Sequence, residues 1–231
     1  MNYPLSPEQL EALRRLDACT LANAIETFEV RLRNQGFSDG GLRCFFPHLP
    51  PIVGYAATIK IRGSAPPTAG GYYPQRTDWW EYVRSLPAPH IVVAQDIASH
   101  RGLGALLGQV HLNIQRALGA VGIVTNGAVR SIPTAEALGF QVFADKTSVS
   151  HAYMHIVEFG TPVEVDGLKV HSGDLLHGDQ HGVQSIPLEI AAQVPPVAAG
   201  IAATKQALIA LCRSPEFTLE KLRAAVAEKR S

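Results

Sequence analysis

From Pro7 to about Val30, apolar residues recur at helical spacing: Leu10, Leu13 and Leu16, then Leu21, Ala24, Ile25 and Phe28. This spacing predicts two helices broken near residues 17–20. Ser6 reads as the first N-cap, with Pro7 at the first helical position and Gln9 where a capping box wants Glu or Gln. Residues 34–51 are rich in Gly, Pro and aromatics and read as a loop. The pattern then alternates over residues 52–62, a predicted strand, and breaks up again over residues 63–74. A short helix carrying Trp79 and Trp80 is predicted for residues 78–84, both indoles packing rather than binding.

Three apolar runs follow, at residues 90–95, 120–125 and 141–144, each a predicted strand. The Gly-rich turn Gly102-Leu-Gly-Ala-Leu-Leu-Gly108 leads into a helix at residues 109–118, and a shorter helix is predicted at 134–138. After Asp145 the pattern changes to short strands at residues 161–165, 168–170, 174–177 and 182–186, separated by Asp166-Gly167, Ser172-Gly173 and the run Asp179–Gly182. Asp-Gly favours a tight hairpin turn. A long Ala-rich helix over about 196–211 and a last one over 219–228 close the chain. Strand–helix alternation with a late meander predicts a single α/β domain over residues 1–231. Its parts are N-terminal helices at 6–30, a core at 52–187 and a C-terminal helical tail at 188–231.

Composition narrows the function classes. Hydrophobic residues are 46% of the 231, which supports one sizeable core, and charged residues are 17%. Lys plus Arg and Asp plus Glu number 20 each, so the chain carries no charge bias toward nucleic acid or an anionic membrane. The six Lys and Arg residues between 205 and 230 read as a solvated helical face. Net neutrality favours self-association. Three widely spaced cysteines, Cys19, Cys44 and Cys212, read as reduced thiols in the core. No basic region followed by an apolar run opens the chain, and no run of about 18 uninterrupted apolar residues occurs. The expected address is cytoplasmic.

The candidate chemistry lies at Gly122-Ile-Val-Thr-Asn-Gly-Ala-Val-Arg130. Ligands of open α/β sheets bind at the carboxyl ends of strands, and Arg130 falls just past one. A guanidinium offers a carboxylate a bidentate fork. The turn at 102–108 also follows a strand and opens a helix, so amides near Leu106 and Leu107 favour an anion. Two readings stand: one Arg and two amides cradle a small carboxylate, or Arg130 pairs with a surface acid and the glycines only turn the chain. The turn lacks the third glycine of a dinucleotide fingerprint, and neither a P-loop nor a GxSxG elbow occurs.

Nine histidines raise the question of a metal. His151 and His155 have the i, i+4 spacing of two ligands on one helix face, but without the acid of HExxH. His177 and His181 flank Asp179 in a turn, where polar residues are expected anyway. Surface or supporting roles are the expectation for both clusters.

Across residues 17–187 the order of motifs resembles the RraA-like family, which includes the regulator of ribonuclease activity A and class II pyruvate aldolases such as 4-hydroxy-4-methyl-2-oxoglutarate aldolase. The matching stretches are Asp17-Ala-Cys-Thr-Leu-Ala-Asn-Ala-Ile25, Val53-Gly-Tyr-Ala-Ala-Thr-Ile59, Gly104-Ala-Leu-Leu-Gly108, the Arg130 segment, Leu138-Gly-Phe-Gln-Val-Phe143 and Ser172-Gly-Asp-Leu-Leu-His-Gly-Asp-Gln-His-Gly-Val183. The resemblance implies a swivelling β/β/α fold with flanking helices, a homotrimer or hexamer, and sites between subunits. It implies that Arg130, with Gly104, Leu106 and Leu107 of the turn, holds pyruvate while a Mg or Mn ion stabilises its enolate. The metal-binding acid is Ser131 here, the acid of the turn is Ala105, and the Asp before Gly-Ala-Val-Arg is Asn126. Neutral groups are poor ligands for hard cations. Any metal would need Ser131, water, or Asp96, His100 or His111.

The functional expectation is carbon–carbon lyase chemistry on a small 2-oxo acid, by retro-aldol cleavage or decarboxylation. Its rivals are a non-catalytic regulator or ligand-binding protein acting through protein partners, and an enzyme using histidines as acid and base.

Overall fold

The computed structural model describes residues 4–68 and 71–227. Met1–Tyr3, two residues of the loop predicted at 63–74, and the last four residues, 228–231, therefore lie outside the described residues. Four parallel strands form the middle of an eight-stranded sheet, in the order β5 (Gln141–Thr147), β4 (Ala120–Val129), β3 (His90–Asp96), β2 (Ile52–Arg62). Helices α3 (Thr77–Ser85), α4 (Gln109–Ala117) and α5 (Ile132–Ala137) connect them. β2 is buried without interruption over its first eight positions, the signature of a strand covered on both faces.

The outer edges are antiparallel. Along β2, β9 (Leu175–Asp179) pairs with Ile52–Tyr55 and β6 (His155–Phe159) with Ile59–Arg62, while β10 (Gly182–Ile186) adds to β9. A two-residue strand, β1 (Arg43–Cys44), closes the far edge on β5. β7 (Val163–Val165) and β8 (Leu168–Val170) make a separate hairpin. Its Asp166 and Gly167 both have positive φ, 50° and 74°, as a primed turn requires.

Three apolar clusters hold these layers. One packs α3 and α4 on the sheet through Trp79, Val83, Leu106, Leu107 and Leu112. A second joins α1 (Pro7–Arg14), α2 (Ala18–Glu26) and the start of α6 (Val194–Arg213) to β2 and β9. The third seats the β7–β8 hairpin on Ile91, Val93, Val124 and Phe143. Ser6 makes the expected capping box with Gln9. Asp17 caps α2 through the Thr20 amide, so the break between the first two helices falls just ahead of Ala18.

Several expectations need correction. β4 does not close at Asn126-Gly127 but runs on to Val129. Ser150–His155 is no helix: Ala152 turns at φ 46° and β6 begins at His155, so His151 and His155 share no helix face. β1 and β6 went unpredicted, each being too short or too polar at its start to show a period. Cys19 and Cys212 are exposed rather than core residues, on outer faces of α2 and α6. α6 is long and apolar enough by length and composition to cross a membrane, and most of it is exposed.

Candidate functional site

At the carboxyl end of β3, Asp96 is 2% exposed, and its carboxylate accepts from the Ala98 amide at 3.0 Å and the Gly102 amide at 2.8 Å. These bonds fix the path of the chain into the Gly-rich turn. The Asp96 amide donates to Asn126 Oδ1 at 2.7 Å, and Asn126 Nδ2 donates back to the Asp96 carbonyl at 3.4 Å. Asn126 lies where the β4–β5 register shifts, between Thr125 and Ala128. Its amide thus ties β3 to β4 at an irregular step, where a buried peptide group needs a partner. A Cβ on Gly127 would stand 3.2 Å from that of Asp96, so only a bare backbone passes comfortably.

Ala105 then forms a parallel bridge with Ala128. The next residues along these adjacent segments are Leu106 and Leu107 on one and Val129 and Arg130 on the other. A loop clamps the turn from its other side: the Ala105 amide donates to the Ser150 carbonyl at 2.9 Å, and His151 Nδ1 lies 2.6 Å from the Ala105 carbonyl. Ser148 Oγ donates to the Leu103 carbonyl at 3.0 Å. Gly104 packs so close beneath the His151 carbonyl that a side chain there would overlap it. Leu106 and Leu107 are 1% and 2% exposed, their side chains anchoring the turn in the core. α4 opens just beyond, and its cap, Gly108, makes no side-chain bond to the first turn.

Arg130 is half-buried, the first residue past β4. Among the described residues no carboxylate lies within ion-pairing distance of it, so the alternative pairing of Arg130 with a surface acid is not seen. Ser131 follows with φ 56° and ψ 40°, a left-handed conformation uncommon for a residue with a side chain. Its carbonyl receives the Thr134 and Ala135 amides at the start of α5, while its hydroxyl makes no capping bond.

Because a carbonyl can only accept, the proton of a neutral His151 sits on Nδ1, leaving Nε2 as a lone pair. Nε2 faces Gly108, where an added Cβ would stand 2.9 Å away. The rings of His151 and His111 are 6.4 Å apart, and His111 lies 4.5 Å from the Tyr73 ring. Burial, and secondly His151, hold the His111 pKa below the ordinary imidazole value. Leu106, His111 and His151 line one cavity of about 210 Å³ with Tyr72, Tyr73 and Met154. A larger polar cavity of about 560 Å³ lies beside Asn126 and holds His100, Arg101 and Lys146.

The other histidine cluster resolves into scaffolding. Asp179 accepts from the Ala18 amide at 2.7 Å and from the His181 amide at 2.8 Å, pinning the start of α2. His177 Nε2 donates to the Leu16 carbonyl at 2.9 Å. His155 Nδ1 turns to the Tyr153 carbonyl at 2.8 Å. Among the described residues no group of three or more His, Cys, Asp or Glu side chains is gathered for a metal. Sequence reasoning singled out Arg130 and the turn but missed the placing of His151 on that turn. The two segments are more than forty residues apart, and no local pattern links them.

The fold and this clamp define a mixed α/β protein with a glycine-rich turn set against the end of a parallel strand. Residues 18–184 match the model of the RraA-like family, described as Aldolase/RraA, and the chain belongs to that family. Over 84 residues it is 33% identical to a protein of Halalkalibacterium halodurans described as "Putative 4-hydroxy-4-methyl-2-oxoglutarate aldolase". That match takes in 36% of this chain and about 40% of the relative's length. A crystal structure of an uncharacterized protein from Pseudomonas syringae pv. tomato superposes with a TM-score of 0.74 at 22% identity, over 97% of this chain and 96% of the other. Streptomyces coelicolor RraAS2, described as an unusual member of the RNase ES inhibitor RraA protein family, superposes with a TM-score of 0.68 at 19% identity, over 88% and 96%. These two structural likenesses speak to the fold alone.

Proposed function

We propose that this protein is a carbon–carbon lyase acting on a small 2-oxo acid, by retro-aldol cleavage or oxaloacetate-type decarboxylation through a pyruvate enolate. The observation that carries the reading is Arg130, half-buried and without an acid partner among the described residues, at the end of β4 beside the bridged turn. Its guanidinium would grip the substrate carboxylate through a fork of two N–H groups. The Leu106 and Leu107 amides, at the positive end of α4, would receive the keto oxygen as it becomes an enolate. Donors held rigidly by the Ala128 bridge and the His151 loop need little reorganisation as charge develops, which is where such groups accelerate a reaction.

Among the described residues no set of acids is gathered for a divalent ion. Ser131 offers a neutral hydroxyl, Asn126 Oδ1 accepts from the Asp96 amide, and the buried Asp96 carboxylate fastens the turn through the amides of Ala98 and Gly102. The steps above therefore belong to Arg130 and the turn. The test is pyruvate release from oxaloacetate and from 4-hydroxy-2-oxo acids by purified protein, with and without Mg²⁺ or Mn²⁺. No pyruvate above background under any condition would sink the reading.

The neutral residues Ala105, Asn126 and Ser131 favour a second reading, a regulator or ligand-binding protein acting through protein partners. Co-purification with a ribonuclease, together with no turnover of any 2-oxo acid, would select it. In either case we propose a homotrimer or hexamer. The exposed apolar length of α6 supports this, since a second copy would cover it. Sedimentation measurements decide the state.

A further inference from the structure

We propose that the cavity formed by Leu106, His111, His151, Tyr72, Tyr73 and Met154 receives the part of the substrate beyond its pyruvyl end. The substrate class this selects is 4-hydroxy-2-oxo acids with an uncharged, apolar or aryl group at C4, with His151 as the base that starts cleavage. The inference rests on the lyase reading and adds to it a substrate class and an acid–base group.

The placement comes first. Leu106 belongs both to the turn proposed to hold the 2-oxo acid and to the cavity wall. We take this cavity, rather than the polar one beside Asn126 whose Arg101 and Lys146 would suit a charged group, as the space into which a ligand gripped at the turn extends. Its volume, about 210 Å³, exceeds the roughly 150 Å³ that accommodates benzene in a protein interior. The wall is aromatic and apolar apart from the two imidazoles and the two tyrosine hydroxyls, and among the described residues it contains neither Lys nor Arg. A second substrate carboxylate placed here would lose its hydration without gaining a cation. His111 does not supply one, because burial and His151 favour its neutral form. A phenyl or alkyl group loses nothing by entering.

The base is set by hydrogen bonding. In the neutral imidazole the Ala105 carbonyl holds the His151 proton on Nδ1 and leaves the Nε2 lone pair facing Gly108, the last residue of the turn. Nε2 would take the proton of the C4 hydroxyl, and the C3–C4 bond would break as the C4 carbonyl forms. The released pair would become the C2–C3 double bond, and the C2 carbonyl pair would pass to the oxygen held by the turn. The imidazolium would then return the proton to C3, giving pyruvate and an aldehyde or ketone with no oxidant or reductant. The groups facing His151 are His111 on α4 and, behind it, Tyr73.

The experiment compares pyruvate release from 4-hydroxy-4-phenyl-2-oxobutanoate and from 4-hydroxy-4-methyl-2-oxoglutarate, using the full chain and its His151→Asn and Tyr72→Arg variants. The wild type is expected to favour the phenyl substrate in kcat/KM by about tenfold or more. His151→Asn should lower kcat on both by roughly 10²–10⁴-fold with KM little changed, and remove the ascending limb of the pH profile. Tyr72→Arg, which puts a cation at the exposed rim, should shift preference toward the dicarboxylate. Equal or better turnover of the dicarboxylate by the wild type overturns the substrate class while leaving the lyase intact. An unchanged kcat and pH profile in His151→Asn overturns the base. Pyruvate from neither substrate overturns the lyase reading, and this inference with it.

Discussion

Ala105 and Ala128 form a parallel bridge between the glycine-rich turn and the last residues of β4. By this contact two segments separated in sequence by strand and helix run side by side, with the Leu106 and Leu107 peptides next to the approach to Arg130. The small side chain at both positions matters, since each is essentially unexposed. The bridge sets the geometry on which the first prediction depends.

Arg130→Ala should lower kcat/KM for a 2-oxo acid by roughly 10²-fold or more while leaving the fold intact, because removing a half-buried Arg without an ion pair breaks no structural bond. Arg130→Lys should recover only part of the loss, since an ammonium keeps the charge without the planar fork. Steady-state pyruvate release and circular dichroism check both. Wild-type kinetics in Arg130→Ala would remove this residue from the site.

Gly104→Ala tests the clamp. The new methyl would overlap the His151 carbonyl, and a backbone atom cannot swing aside. The expected result is a thermally weaker protein, by about 1–3 kcal/mol, with activity reduced more than stability explains. Thermal melts alongside assays well below the melting temperature separate the two effects.

Ser131→Asp should introduce or raise Mg²⁺- or Mn²⁺-dependent activity, by restoring an ionised ligand beside Arg130. Asp also tolerates the left-handed conformation observed there, φ 56°, so the fold should not suffer. The comparison is activity in excess metal against activity in chelator. No gain would mean that another group, from this chain or a neighbouring copy, already fills the role.

His177 predicts an acid-sensitive fold. It is fully buried, its Nε2 donates to the Leu16 carbonyl, and its Nδ1 has no partner among the described residues. Burial holds its pKa below the ordinary 6.5, against smaller opposing effects of the Leu16 carbonyl, Asp179 and Asp17. Above about pH 6.5 the imidazole is neutral in both folded and unfolded chains. Below it the unfolded chain binds a proton that the fold refuses, so stability declines as pH drops from 6.5 toward the folded value. His90 and His111, also depressed by burial, add in the same direction. Urea midpoints at pH 8 and pH 5 measure the slope, which His177→Gln should flatten.

Much of the architecture was legible in the chain. The capping box at Ser6, the existence of a strand at 52–62, the turn at Asp166-Gly167 and most of the order of strands and helices are local consequences of spacing and turn chemistry, whereas the alternation read at 52–62 gave way to burial on both faces of β2. The placing of Arg130 past the end of a strand, and of the Gly-rich turn between a strand and a helix, was legible as well, because both rest on local apolar runs and glycine signals.

The extension of β4 past Asn126-Gly127 was not legible, since Asn-Gly is a turn signal in isolation. Only the Asn126–Asp96 pairing, a contact between strands, keeps those residues in the sheet. The pairing of His151 with Ala105 was equally hidden, because side chains forty-six residues apart meet only when the loop after β5 folds over the turn. The sequence by itself therefore determined most of the elements, the family pattern and the neutral residues at Ala105, Asn126 and Ser131. Tertiary structure alone decided which lone pair faces the turn and which apolar walls stand beside it. Local backbone preferences act over a few residues, whereas a hydrogen-bonding partner or a cavity wall exists only once distant segments have packed.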